Sequence, residues 1–166
     1  MNAEPGSGFR DTGPAAGVLN DGRRLHLHHG PIDLVIEADG TGDEVAAAYR
    51  QARSRFETVL TELVGELKVL RSPVQRGATV SSTVARRMRA ATLPYADDFI
   101  TPMAAVAGAV ADETLANLIA GRKLSRAYVN NGGDIALYLG EGERYVAALV
   151  TDPATGRVAG RATVMA

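Results

Sequence analysis

The 166-residue sequence contains no cysteine and no tryptophan, and aromatic residues make up only 5% of it. The absence of cysteine excludes disulfide bonds, thiolate metal sites and a cysteine nucleophile within this chain. The formal net charge of -1 gives no electrostatic argument for nucleic-acid or anionic-membrane binding. No apolar run approaches membrane-spanning length, and the N-terminus lacks a signal-peptide pattern. We therefore expect a cytoplasmic protein with neither nucleic-acid nor membrane partners.

The length is that of one domain with a substantial core. Residues 1–17 are rich in Gly, Pro and Ala, and they are predicted to form a flexible leader. Residues 18–166 are assigned to the domain itself.

Hydrophobic periodicity predicts three helices and several strands. Apolar residues from Val45 to Leu70 recur at steps of three and four, which predicts one long helix ending before Pro73. Two further helices are predicted over residues 80–91 and 101–120. Strands are predicted over residues 25–28, 32–38, 126–130, 134–139, 144–151 and 157–165. This order favours an α+β fold in which an antiparallel or mixed sheet packs against long helices.

A polar segment, Asn130-Asn131-Gly132-Gly133-Asp134, lies between two of these strands. Asn and Gly tolerate positive φ angles, which suits them to tight turns and allows a ligand to approach the backbone. A two-residue hairpin turn needs only Asn-Gly. The segment is therefore open to two interpretations, a plain hairpin turn or a ligand-binding loop.

The helix predicted to begin at Thr101 consists largely of small residues up to Ala111. Glycine at position 108 is unfavourable inside a helix, so either a closely packed neighbour or a flat ligand is expected against it. Free N–H groups beside Thr101 would suit an anionic group. Asp112, on the same face as Gly108, could bind a ribose hydroxyl or a metal, and the alternative is a solvated carboxylate.

Two other clusters have ordinary explanations beside functional ones. His26 and His28 share one strand face and could both reach a metal ion, but only Asp33 is near as a third ligand. A polar outer face is the alternative, and no metal site is predicted. The arginines from Arg86 to Arg89 could hold a phosphate or simply be solvated. No catalytic triad spacing, Walker loop or Gly-x-Gly-x-x-Gly motif is present.

Residues 99–112 (FITPMAAVAGAVAD) and 128–136 (YVNNGGDIA) resemble the uncharacterised bacterial and archaeal branch of the ApbE-like superfamily. The best-known members of that superfamily are FAD:protein FMN transferases, formerly linked to thiamine biosynthesis. The resemblance runs from about Leu25 to Thr151 and implies an α+β fold with antiparallel sheets. It offers FAD, FMN and Mg²⁺ as candidate cofactors without identifying catalytic residues. The ligand-binding residues that it implies are Thr101, Met103, Ala104, Gly108, Asp112, Asn130, Asn131, Gly132, Gly133 and Asp134.

The chain departs from the transferases towards its C-terminus. Their metal-binding Thr-x-x-Asp-Ala segment is absent, and the Asp-Pro-x-x-Gly sequence at Asp152 has no preceding histidine. We therefore expect this chain to form the N-terminal portion of the full fold, completed by a further segment or a partner chain in a homo- or hetero-oligomer.

Three functional hypotheses follow. The first is an ApbE-like transferase or hydrolase, inactive as this chain alone, that binds a flavin, a nucleotide or another flat anionic molecule between the Thr101 helix and the Asn130–Asp134 loop. The second is the N-terminal subunit of a self-cleaved or two-chain hydrolase whose nucleophile begins the partner chain. The third is a non-catalytic ligand-binding or scaffold domain.

Overall fold

A computed structural model of the protein describes residues 13–152 and 154–166. Five strands form an antiparallel sheet in the order β1-β2-β3-β4-β5, and two more form a separate antiparallel hairpin. The strands are β1 (Ala15–Val18), β2 (Leu25–His29), β3 (Ile32–Gly40), β4 (Leu124–Asn131), β5 (Asp134–Leu139), β6 (Arg144–Asp152) and β7 (Arg157–Met165). The helices are α1 (Gly42–Gly65), α2 (Leu67–Leu70), α3 (Thr83–Thr92) and α4 (Val106–Ile119).

One face of the five-stranded sheet is buried under helices, and α1 and α4 both contact it directly. Alternating positions of β3 and β4, such as Leu34, Ile36 and Val129, are fully buried, because successive side chains of a strand point to opposite faces. The other face of these strands carries charged pairs such as Asp39 with Arg126. The sheet therefore has one apolar and one polar side.

Helix α1 buries a single stripe against the sheet. Its buried residues recur at steps of three and four, which places them on one face of an α-helix. Asp43 and Glu44 lie in its first turn, where negative charge is favoured by the helix dipole. The buried residues are Ala48, Ala52, Phe56, Val59 and Leu63.

The α+β class is confirmed, and the sheet is antiparallel throughout the described residues. The predicted bounds of β5 and β7 agree with the structure, and the other predicted strands are present with small shifts at their ends. The sequence did not predict β1. The leader predicted over residues 1–17 lies largely outside the described residues, and its last three residues belong to β1.

The long helix predicted to continue to Leu70 instead ends at Gly65, and the short helix α2 follows. Glu66 has a non-helical backbone conformation at the break. Its carboxylate accepts hydrogen bonds from the backbone N–H groups of Ser81 at 2.6 Å and Ser82 at 2.9 Å. The break thus ties the end of α1 to the start of α3.

The helix predicted to begin at Thr101 also begins later. Residues Pro102–Ala105 form a short 3-10 turn, and α4 starts at Val106. Thr101 precedes the 3-10 turn, and its side chain makes no capping hydrogen bond. Thr101 therefore precedes a short 3-10 turn rather than a long helix, and anion binding beside it stays a prediction. Among the described helices, none is both long and apolar enough to cross a bilayer.

Candidate functional site

The polar segment between β4 and β5 forms a two-residue hairpin turn. Asn131 pairs with Asp134, and the two central glycines have positive φ angles of 60° and 109°, as tight turns between twisted strands require. The Asn130 side-chain oxygen accepts a hydrogen bond from the Gly133 N–H at 2.9 Å. The Asn131 side chain donates to the Ala107 carbonyl at 3.1 Å. Both amides thus hold the turn and dock it on α4, and ligand binding by the turn itself stays a prediction.

The other residues predicted to bind a ligand separate onto two sides of the α4 region. Met103 and Asn131 line a cavity between α1 and the start of α4. Four others line a shallow cleft on a different side of α4. Those four are Ala104, Gly108, Asp112 and Asp134. The structure therefore does not bring the predicted residues together around one ligand, and Thr101, Asn130, Gly132 and Gly133 line neither space.

The cavity between α1 and the start of α4, called the α1–α4 cavity below, has a volume of about 520 Å³. Its walls come from the turn between β2 and β3, the C-terminal half of α1, helix α2 and the first turns of α4. Most of its lining side chains are aliphatic. The lining residues are His28, Gly30, Pro31, Ile32, Leu60, Leu63, Val64, Leu67, Arg71, Met103, Val106, Ala107, Val110 and Asn131.

Small residues keep this cavity open. Gly30, in the turn between β2 and β3, has a φ angle of 57°, and a Cβ atom there would lie 2.9 Å from Leu60 Cδ2. Ala107 presents only a methyl group to the same space. Larger side chains at these positions would occupy room that a ligand could fill.

Three polar side chains, those of His28, Arg71 and Asn131, line the α1–α4 cavity. The Asn131 amide nitrogen is engaged with the Ala107 carbonyl. The Arg71 side chain forms no hydrogen bond or ion pair with any other residue that the structure describes. None of the lining residues carries a carboxylate, so the cavity presents the Arg71 cation and no anionic side chain.

The shallow cleft on the other side of α4, called the Arg87 cleft below, has a volume of about 190 Å³. Its lining includes Arg87, Gly108, Asp112 and Asp134. The Arg87 guanidinium donates a hydrogen bond to the buried Glu113 carboxylate at 3.1 Å, so the cation of this cleft already has a partner. The carboxylates of Asp112 and Asp134 belong to exposed residues. The cleft offers a ligand little enclosed surface.

A wider depression of about 740 Å³ lies over α1, α3 and α4, and among its charged groups Arg55 pairs with both Glu62 and Glu113. Glu113, only 6% exposed, accepts hydrogen bonds from Thr83 at 2.6 Å and from Arg55 at 2.9 Å. Burial raises the pKa of Glu113, but these bonds and that from Arg87 outweigh it and hold the pKa below its ordinary value. The network joins three helices, and we assign it a structural role.

The histidine and arginine clusters also have partners. The His26 Nε2 atom lies 3.0 Å from Asp33 Oδ1. The described residues contain no group of three or more His, Cys, Asp or Glu side chains that could hold a metal ion. Arg86 donates to the Ser81 carbonyl, and Arg89 donates to the carbonyls of Gln75 and Arg76. Arg86 and Arg89 therefore bond to backbone carbonyls and Arg87 bonds to Glu113, while phosphate binding by this cluster stays a prediction.

The family that the chain matches differs from the one expected from its sequence. No curated protein matches the chain. The family model that does match, described as AbpE bacteria, represents a different family from the ApbE-like flavin transferases. The resemblance drawn from residues 99–112 and 128–136 is therefore wrong, and the flavin and Mg²⁺ expectations lose the support that it gave them. Because the model matches residues 16–166, nearly the whole sequence, this chain belongs to the AbpE bacteria family.

Proposed function

We propose that the protein binds a small molecule with an apolar body in the α1–α4 cavity. The observation that carries the proposal is a mostly aliphatic space of about 520 Å³, partly open to solvent, with only three polar side chains in its lining. Small-molecule sites are typically cavities of roughly 300–1,000 Å³ with apolar walls and a few polar groups that orient the ligand. Met103 and Asn131, two of the residues singled out from the sequence, contribute to this lining.

The proposal concerns binding rather than a reaction. The lining of the α1–α4 cavity includes no hydroxyl, thiol, amine or carboxylate side chain that could act as a nucleophile. Binding of a small molecule belongs both to the enzyme hypothesis and to the hypothesis of a non-catalytic ligand-binding domain, so the proposal does not depend on either. A cytoplasmic location is part of it and is supported by the absence of cysteine.

Filling the cavity is expected to abolish binding. Ala107→Trp places an indole in the lined space, and the Ala107 carbonyl that Asn131 contacts belongs to the unchanged backbone. We expect 2-naphthoate, followed by isothermal titration calorimetry, to bind the wild-type protein and to lose at least about tenfold in affinity to the variant. Unchanged affinity in a folded Ala107→Trp variant would contradict the proposal.

A second tryptophan distinguishes the two spaces beside α4. Ala104 is exposed and lines the Arg87 cleft, not the α1–α4 cavity. Ala104→Trp should leave the affinity for 2-naphthoate within about twofold of the wild-type value, because it does not narrow the proposed site. If Ala104→Trp removed binding while Ala107→Trp preserved it, the ligand would lie in the Arg87 cleft instead.

We also propose that the protein self-associates, on independent grounds. The hairpin of β6 and β7 exposes many of its large apolar side chains, and patches of this kind mark interaction surfaces. The most exposed of these are Val146, Leu149, Val150, Val158, Val164 and Met165. Native mass spectrometry of the purified chain is expected to show a multiple of 17.4 kDa, and Leu149→Lys should shift the population to a single chain. Wild-type protein found only as a single chain would contradict self-association.

A further inference from the structure

We propose that the ligand of the α1–α4 cavity carries one negatively charged group, and that the Arg71 guanidinium binds this group. The ligand class is then an apolar body bearing a single carboxylate or phosphate monoester. This inference rests on the proposed function, because it identifies the ligand of the same cavity.

Arg71 is the arginine that lines the α1–α4 cavity, and its guanidinium has no partner among the described residues. Arg55 bonds to Glu62 and Glu113, Arg87 bonds to Glu113, and Arg89 bonds to two loop carbonyls. Arg71 directly follows α2, is exposed, lines the α1–α4 cavity and makes no side-chain hydrogen bond within the described part of the chain. A guanidinium offers five N–H donors in a planar fork that matches a carboxylate or phosphate.

The rest of the lining favours an anion over a cation. No acidic side chain lines the α1–α4 cavity, so a negatively charged group entering it meets no like charge. His28 and Arg71 are the two basic residues of the lining. Arg71 is an exposed residue, so the attraction comes from charge-assisted hydrogen bonds at a solvated edge of the cavity.

The apolar volume indicates that the anion is only one end of the ligand. A free inorganic phosphate at Arg71 would leave the aliphatic walls formed by Leu60, Leu63, Val106 and Val110 without contact. Burying those walls against an apolar body contributes binding free energy in proportion to the area removed from water. A ligand with one anionic group and an apolar body would bind the Arg71 guanidinium and also pack against the aliphatic walls.

The test compares naphthalene probes that share one ring system and differ in the attached group. We expect 2-naphthoate and 2-naphthyl phosphate to bind the wild-type protein about tenfold more tightly than the neutral 2-naphthalenemethanol. Arg71→Met should remove most of this advantage and leave the affinity for the alcohol within about twofold, because only the charged contact is lost. Arg71→Lys should restore part of the advantage, since it keeps the charge without the planar fork.

Arg50 provides the matched control. It is an exposed arginine of α1 with no described side-chain partner, and it lines none of the cavities described above. Arg50→Met removes the same charge from the protein as Arg71→Met, and it should leave the anion preference unchanged. An equal loss in both variants would show a general effect of net charge and would overturn the role of Arg71.

The outcomes separate this inference from the proposed function. If acid and alcohol bind the wild-type protein equally well, and Ala107→Trp still removes both, the cavity is a binding site and the anion inference is wrong. If no naphthalene probe binds, the proposed function fails and the inference fails with it. Preference for the phosphate over the carboxylate would support the phosphate monoester within the same class.

Discussion

Replacement of Glu113 by alanine is expected to lower the free energy of unfolding by about 3–5 kcal/mol, the cost of removing one partner from a buried ion pair. Glu113 is 6% exposed and receives hydrogen bonds from Thr83, Arg55 and Arg87. Its loss leaves the largely buried guanidinium of Arg55 without this partner. Urea denaturation followed by circular dichroism measures the change.

The matched control is an ion pair at the surface. Arg53 and Glu57 on α1 lie 3.9 Å apart, and both side chains are more than half exposed. Glu57→Ala should change the free energy of unfolding by about 1 kcal/mol or less, because water screens exposed pairs. An equal loss of unfolding free energy in Glu113→Ala and Glu57→Ala would contradict a larger contribution from the buried Glu113 network.

The pH dependence of stability gives a second readout on the same network. Burial raises the pKa of Glu113, but its hydrogen bonds outweigh burial and hold the pKa below its ordinary value of 4.5. The stability from this shift is therefore present above pH 4.5 and is lost as the pH falls through the lower pKa of the folded protein. As the pH falls through that acidic range, the free energy of unfolding of the Glu113→Gln variant should decrease less than that of the wild-type protein. Parallel pH profiles of the two proteins would contradict this assignment.

Replacement of Phe56 by alanine is expected to cost about 3–5 kcal/mol of unfolding free energy, the range for truncating a buried aromatic side chain. Phe56 is 1% exposed on the sheet-facing stripe of α1, and its ring lies edge-on to His29 with centroids 6.4 Å apart. The truncation leaves a cavity at the main interface between helix and sheet. Thermal and chemical denaturation of the variant both report this loss.

Phe99 allows the same substitution to be made at the surface. Its side chain is 86% exposed, in the segment before Thr101. Phe99→Ala should change the free energy of unfolding by no more than about 0.5 kcal/mol, because it removes almost no buried contact. If Phe99→Ala proved as damaging as Phe56→Ala, the placement of the core would be wrong.

The strands and the α+β class could be predicted because the signals for them are local. Alternation in β2 and the apolar runs on either side of the β4–β5 turn mark strands within a few residues of sequence. The turn at Gly132 and Gly133 follows from the conformational freedom of glycine. Two-residue turns join neighbouring antiparallel strands, so this part of the sheet order was also accessible.

Two local boundaries were missed because distant contacts decide them. The periodic pattern continues past Glu66, but α1 ends there, and the Glu66 carboxylate accepts hydrogen bonds from the N–H groups of Ser81 and Ser82, 15 and 16 residues further along the chain. The hydroxyl-proline pair at Thr101 and Pro102 has the composition of a helix start, but the chain first makes a 3-10 turn there. Capping residues show where a helix prefers to begin or end, and packing against the rest of the protein sets the residue at which it does so.

The candidate site could be predicted only in part. The closely packed neighbour expected against Gly108 is not there, because a Cβ atom at Gly108 would meet nothing within 4 Å. The close contact at the start of α4 is instead the hydrogen bond from the Asn131 amide to the Ala107 carbonyl. The α1–α4 cavity also needs Leu60 and Val64 of α1 and Arg71 after α2. These residues follow ordinary helical spacing, so nothing in the sequence distinguishes cavity-lining positions from core positions.

The most direct test of the account is the location of bound 2-naphthoate by methyl NMR of the wild-type protein. We predict that the largest shift changes fall on Leu60, Val64, Met103 and Val106, with Leu149 of the exposed hairpin unaffected. Changes concentrated instead on Ala104 and Ala109, beside the Arg87 cleft, or on the hairpin would contradict binding in the α1–α4 cavity.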